Sequence, residues 1–222
     1  MQIVDLPLGA LMPYLIVAGG GLLVMLVDSI FRTLRKGHLA FLSQIVFVVA
    51  AIVLLVGKAP TGPFLGGMLM AEWYTKFFDL IFLACGLITV IYASAVYDRD
   101  GDYRPEFYPL IIFAVLGMMI LAAANDLLIV FLGLETMSLA VYVLVSGRRS
   151  SVESSEAALK YLLMGAFASA MLLMGMALVY GFSGATGYDP LAAALALQGA
   201  DSILVSVGLG LMLVGFGFKL AL

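Results

Sequence analysis

Three charged residues stand inside long apolar runs of the chain: Glu135, Lys160 and Lys219. A carboxyl group and two amines are the parts of a proton relay. A carboxylate at the centre of a hydrocarbon layer costs several kcal/mol unless it is paired or neutralised, and a Glu side chain is too short to reach water. Desolvation lowers the proton affinity of an amine, and a nearby carboxylate restores it. At ~5 Å and an effective dielectric near 20 the restoring Coulomb energy is ~3.3 kcal/mol, or ~2.4 pKa units. A glutamate that approaches or leaves a lysine therefore switches it between holding and releasing a proton, with no metal or organic cofactor. Each residue also has a plainer reading. Glu135 could serve as a neutral hydrogen-bond donor between helices. Lys219 and Lys160 could snorkel from helix ends to the headgroups, and for Lys160, four residues after Glu156, that reading weighs as much as the functional one.

The elements that carry these groups follow from composition. The chain has 222 residues, of which 64% are hydrophobic and 11% charged, with net charge -3 and mean hydropathy +1.16. A soluble domain has roughly 45–50% apolar and ~25% charged residues, so the solvent here is lipid. This excludes a secreted enzyme, a nucleic-acid binder and a disordered chain. Seven stretches are long and apolar enough to cross ~30 Å of hydrocarbon as helices: 11–31, 39–57, 77–97, 108–124, 126–146, 157–181 and 202–222. No alternating ten-residue strands of the kind a membrane barrel needs are visible. A single cysteine, Cys85, and a single histidine, His38, leave no material for a disulfide, an iron–sulfur site, or a haem or zinc centre. The fold class expected is an all-α integral membrane protein in one membrane domain.

The loops set an orientation. Arg32, Arg35, Lys36, Arg99, Arg104, Arg148 and Arg149 fall on one side, against Lys58 and Lys76 on the other. The positive-inside rule then places the N-terminus outside. With no basic residue before Arg32, the first span reads as a retained helix and not a signal peptide. Trp73 and Tyr74 suit an interfacial anchor. Asn125 and Asp126 form a tight turn, with Asp126 heading the fifth span, and Asp79 reads as a bland residue near a span end. The stretch 182–201 reads as an external loop. Ser151 to Glu156 reads as a helix start with a Ser cap and acids in the first turn. Gly165 and Ser169 make a small-residue packing face. Met164, Phe167, Met171 and Met174 read as packing surface. Gly208, Gly210, Gly215 and Gly217 precede Lys219 and predict a loosened or broken last helix. The apolar run through Leu222 has no cap or polar tail, which reads as the front part of a longer polypeptide.

Two runs carry a family likeness. Asn125-Asp126-Leu127-Leu128-Ile129-Val130-Phe131-Leu132-Gly133-Leu134-Glu135-Thr136-Met137-Ser138-Leu139 resembles the fifth helix of the antiporter-like subunits of respiratory complex I. Glu156-Ala157-Ala158-Leu159-Lys160-Tyr161-Leu162-Leu163-Met164-Gly165-Ala166-Phe167-Ala168-Ser169 resembles the sixth helix of the N-subunit branch. Leu178 to Gly184 and Gly217 to Ala221 continue the likeness in order. It covers about 105–222 strongly, whereas 1–104 agrees in hydropathy and span count. The resemblance implies a subunit of inverted five-helix repeats, with 1–104 as peripheral helices and 105–222 as the start of the first repeat, incomplete. It implies Glu135 as the modulating carboxylate, Lys219 as the channel lysine at a helix break, and Lys160 between them. It implies proton translocation in a bacterial plasma membrane, beside other membrane subunits, with NADH and quinone used elsewhere in the complex and no cofactor in this chain. Two alternatives stay open: a subunit of a sodium/proton antiporter or membrane-bound hydrogenase, and a non-conducting structural subunit.

Overall fold

The computed structural model describes residues 8–30, 37–57, 61–100, 104–147, 152–198 and 202–220. In chain order these form α1 (Leu8–Ile30), α2 (His38–Val56), β1 (Gly62–Phe64), β2 (Leu69–Ala71), α3 (Trp73–Asp100), α4 (Phe107–Ala123), α5 (Leu127–Val145), α6 (Val152–Ser183), α7 (Tyr188–Gln198) and α8 (Ile203–Lys219). Seven of the eight helices fall on the seven expected spans. Five of them, α1, α2, α3, α5 and α6, have at least 18 residues and are apolar enough to cross a bilayer; α4 and α8, with 17 residues each, are apolar but shorter. Apolar side chains such as Leu22, Phe41, Ile52, Phe77, Leu132 and Phe167 point outward from the bundle, as lipid requires. The protein is therefore an all-α integral membrane protein.

Three features depart from the expectations. The 182–201 stretch is not a plain loop: Tyr188–Gln198 forms α7, with Pro190 in the first turn and the Ala- and Leu-rich run behind it, a composition that favours helix. The stretch before Trp73 folds as an antiparallel hairpin pairing Gly62 with Ala71 and Phe64 with Leu69. Its turn runs through Leu65 (φ 52), Gly66 (φ 69) and Gly67 (φ 88), left-handed backbone that glycine adopts without cost. Last, α8 is unbroken from Ile203 to Lys219. The expected discontinuity is absent over these residues, and two of the glycines serve packing: a Cβ on Gly208 would lie 2.9 Å from the Gly175 carbonyl oxygen, and one on Gly215 would lie 2.7 Å from Leu172 Cβ. In lipid, an intact helix also keeps every backbone group paired.

Two cores result. One joins α1, α2, α3 and α4 around Phe47, Leu83, Ile112 and Met119, with the hairpin's Phe64 and Leu69 at one end. The other joins α5, α6 and α8 around Leu134, Leu172 and Met176, with Met212 and Phe216 packed against it. Backbones come closest where glycines meet. A Cβ on Gly117 would lie 2.5 Å from Met137 N and one on Gly133 2.9 Å from Leu121 N, so α4 and α5 touch main chain to main chain. Gly175 and Gly208 do the same for α6 and α8.

One end of the bundle is tied by the Asn125–Asp126 turn. Asp126 caps α5, accepting from Leu128 N at 2.8 Å, and its other oxygen accepts from Thr186 Oγ1 at 2.6 Å. Asn125 Nδ2 donates to the Gly67 carbonyl at 2.9 Å, and Leu127 N to the Thr186 carbonyl at 3.0 Å. The turn thus fastens the hairpin and the α6–α7 connection to the same point. Beside it, burial pushes the Tyr188 phenol above its ordinary range, and the Asp126 carboxylate adds to the effect. Arg32, Arg35, Lys36, Lys58, Arg148, Arg149, Ser151 and Leu222, on which sequence expectations rested, lie outside the described residues.

Candidate functional site

Glu135 sits eight residues into the 19-residue α5, about 12 Å along its axis. Lys219 is the last helical residue of α8. Although 84 positions apart in sequence, they meet: Lys219 Nζ donates to Glu135 Oε1 at 3.0 Å. The lysine side chain is 7% exposed and the glutamate 21%. The ammonium has two further acceptors, Ser138 Oγ at 2.9 Å and Tyr142 Oη at 3.1 Å. All three of its hydrogens are thereby used. Ser169 on α6 donates a short hydrogen bond to Glu135 Oε1.

The local sequence explains the arrangement. Glu135, Ser138 and Tyr142 follow at i, i+3 and i+7, one face of a helix. Gly165 provides the room for Tyr142, since a Cβ there would overlap the tyrosine hydroxyl. Tyr161, one turn before Gly165, meets the Tyr142 ring edge-on with centroids 4.7 Å apart. The small Gly165–Ser169 face is thus where α6 accepts the polar face of α5. Ser138, Tyr142 and Ser169 were not expected as site residues. Their signal was the helical spacing from Glu135 and the small-residue pair, which reads as packing when no partner is known.

Lys160 lies apart. It pairs with Glu156 one turn earlier on the outward face of α6, where its side chain is 69% exposed, and none of its hydrogen bonds goes to Glu135 or Lys219. The structure therefore brings together two of the three expected residues. The Met164, Phe167 and Met174 stripe also faces outward. Among the described residues no group of three His, Cys, Asp or Glu side chains is placed to hold a metal ion.

A half-buried carboxylate, a buried ammonium and three hydroxyls in one chain of hydrogen bonds can store a proton and pass it on.

Residues 124–222 match the family model described as NADH:quinone oxidoreductase/Mrp antiporter, TM. A relative from Trichlorobacter lovleyi, named NADH-quinone oxidoreductase subunit N, is 38% identical over 96% of this chain and 44% of its own length. One of the same name from Rhodospirillum rubrum is 34% identical over 100% of this chain and 46% of its own. The chain thus spans less than half the length of these relatives. Among solved structures, a chain of respiratory complex I from Thermus thermophilus superposes with TM-score 0.71 at 33% identity, covering 95% of this chain and 44% of that one. A chain of an archaeal membrane-bound sulfane sulfur reductase has the same fold, with TM-score 0.71 at 19% identity.

Proposed function

Because this chain belongs to the family of NADH:quinone oxidoreductase and Mrp antiporter membrane subunits, in its subunit-N branch, we propose that it carries protons across a bacterial plasma membrane as part of an NADH:quinone oxidoreductase. The observation that carries this reading is the Glu135–Lys219 pair, an acid and a base held at 3.0 Å in the interior of a membrane protein. Electron transfer from NADH to quinone belongs to other subunits, and this chain supplies no redox group. Its partners are further antiporter-like membrane subunits.

The mechanism we infer uses this chain's own groups. While the Glu135 carboxylate is charged, its attraction holds the third proton on Lys219. Movement of that carboxylate, or its neutralisation by a proton, removes the attraction, and the amine passes its proton along Ser138 or Tyr142. Ser169 keeps Glu135 oriented through either state. Lys160, on the open face of α6 beside Glu156, is assigned the approach to the pair from its own side of the membrane. Residues 105–222 are taken as the start of the first antiporter-like repeat, with 1–104 as peripheral helices, seven spans in all and the N-terminus outside. The excess of Lys and Arg in the alternate loops supports that orientation.

The test is Lys219→Met in the assembled complex reconstituted into vesicles. Proton uptake per NADH oxidised is expected to fall at least tenfold with normal assembly. Unchanged uptake would leave Lys219 a packing residue and the chain a structural subunit. The family model spans Mrp antiporters as well, so the same vesicles assayed with sodium as the only gradient decide which ion moves.

A further inference from the structure

One carboxylate is fully buried among the α1–α4 helices, and the mechanism does not use it. Asp79 on α3 is 1% exposed. Sequence placed it near a span end, but α3 begins at Trp73 and carries it almost two turns into the helix. Tyr14 of α1 donates to Asp79 Oδ2 at 2.9 Å. Asp79 Oδ1 has no hydrogen-bond partner. A carboxylate with one donor and an unpaired buried oxygen is incomplete, because buried polar atoms cost free energy until satisfied.

The surroundings show what could complete it. Asp79 lines a cavity of about 280 Å³ between α1, α2, α3 and the hairpin, large enough for more than one water-sized occupant. Glu72, Thr75 and Lys76 line the same cavity. Thr75 and Lys76 share one face of α3 with Asp79, and Glu72 stands just before the helix, about 10 Å from Asp79 along its axis. Lys76 does not neutralise Asp79: its Nζ turns to the Leu55 carbonyl at 3.4 Å. From α1 the one titratable group facing Asp79 is Tyr14. α2 brings Val53, Leu54 and Gly57, and the hairpin Phe64 and Ala71, none of which titrates. The cavity therefore offers oxygen acceptors along one wall, and its lining cation is engaged elsewhere.

We propose that this cavity is a reversible binding site for a small inorganic cation, a proton or an alkali ion, taken up by Asp79 Oδ1 from the hairpin end of the bundle. A bound proton forms the Asp79 O–H bond at the expense of one hydronium ion. A bound alkali ion is held by the Asp79 carboxylate with the Thr75 hydroxyl oxygen one turn away and water in the cavity, and Glu72 adds negative charge further out along the same wall. The site is independent of the Glu135–Lys219 pair.

The test is carbodiimide labelling of membranes carrying the unmutated protein, which modifies carboxyl groups in their protonated form, with the modified peptide identified by mass. Label at Asp79 is expected at low pH and to fall about tenfold for each pH unit above its midpoint. Protection by sodium, but not by choline, at constant pH assigns the occupant as an alkali ion; pH dependence without sodium protection assigns it as a proton. Asp79→Asn must abolish this labelled peptide and spare the others. No label at Asp79 at any pH, or label indifferent to both pH and sodium, overturns the proposal and leaves Asp79 a tie between α1 and α3. Because the Asp79 and Glu135 peptides are read separately, failure here is distinguishable from failure of the proton-carrying pair.

Discussion

The Glu135–Lys219 pair should show a large coupling energy in a double-mutant cycle. At the 3.0 Å separation, Coulomb's law with an effective dielectric near 20 gives an attraction of about 5.5 kcal/mol. That figure is a ceiling, because desolvation of both charges opposes it. In Glu135→Gln the ammonium keeps its Ser138 and Tyr142 acceptors, which holds the cost near ~3 kcal/mol, the lower end for a broken buried pair. Lys219→Met strands a carboxylate that retains Ser169, at a similar cost. The double variant removes both charges and leaves hydroxyls that can hydrogen-bond among themselves, so it should cost far less than the sum of the singles. The expected coupling is about 3 kcal/mol, more than a hundredfold in the unfolding equilibrium. The assay is reversible unfolding of the four proteins in mixed micelles. The same cycle on Lys160–Glu156, exposed and one helical turn apart, is the internal standard and should give below about 1 kcal/mol. If the two cycles give equal coupling, the inner pair is solvated like a surface pair, and its assignment as a site that controls proton affinity fails.

Three further outcomes can be measured alongside it. Gly165→Ala places a Cβ on the Tyr142 hydroxyl; displacing the ring should cost about 1–3 kcal/mol by unfolding and weaken proton uptake, and Tyr142→Phe, which takes an acceptor from the charged ammonium, should cost about 1.5–3 kcal/mol. Asp126→Ala removes both the α5 cap and the Thr186 bond and should cost about 1–3 kcal/mol, with Asp126→Asn, which can still cap, recovering part of it. Lys160→Met should change stability by less than about 1 kcal/mol and leave more than half of the proton uptake; a tenfold loss would move Lys160 into the pair's own circuit.

The spans were legible because lipid imposes one rule on every residue of a crossing helix, and hydropathy reads that rule directly. Glu135 and Lys219 were legible as charges in the wrong solvent. That they act as a pair was expected from the chemistry and the family likeness; what brings them together was not legible, since it depends on α6 and α8 approaching at Gly175 and Gly208 and carrying Lys219 to the level of Glu135. The glycines before Lys219 were read as weakness in a helix, yet Gly208 and Gly215 turn out to be points of close approach; composition alone cannot separate the two uses. Asp79 was misread for a different reason. The apolar run starts at Phe77, but the helix starts four residues earlier at Trp73, and that shift carries the carboxylate from the rim to the interior. The hairpin escaped notice because its strands have three residues each, too few to show alternation.

The glycine contacts have a mechanical consequence. They lock α4 to α5 and α6 to α8 at main-chain distance, so neither couple can slide internally without collision. Glu135 rides on the first couple and Lys219 on the second. Between them, the seam of α5 with α6 and α8 is bridged by side chains: Ser169 of α6 to Glu135, and Lys219 of α8 to Glu135, Ser138 and Tyr142. Shear applied to the bundle from outside must therefore be taken up along that seam. The charged contact is the compliant joint of an otherwise stiff frame, and a displacement of an ångström or two there is converted directly into a change of electrostatic field at the lysine.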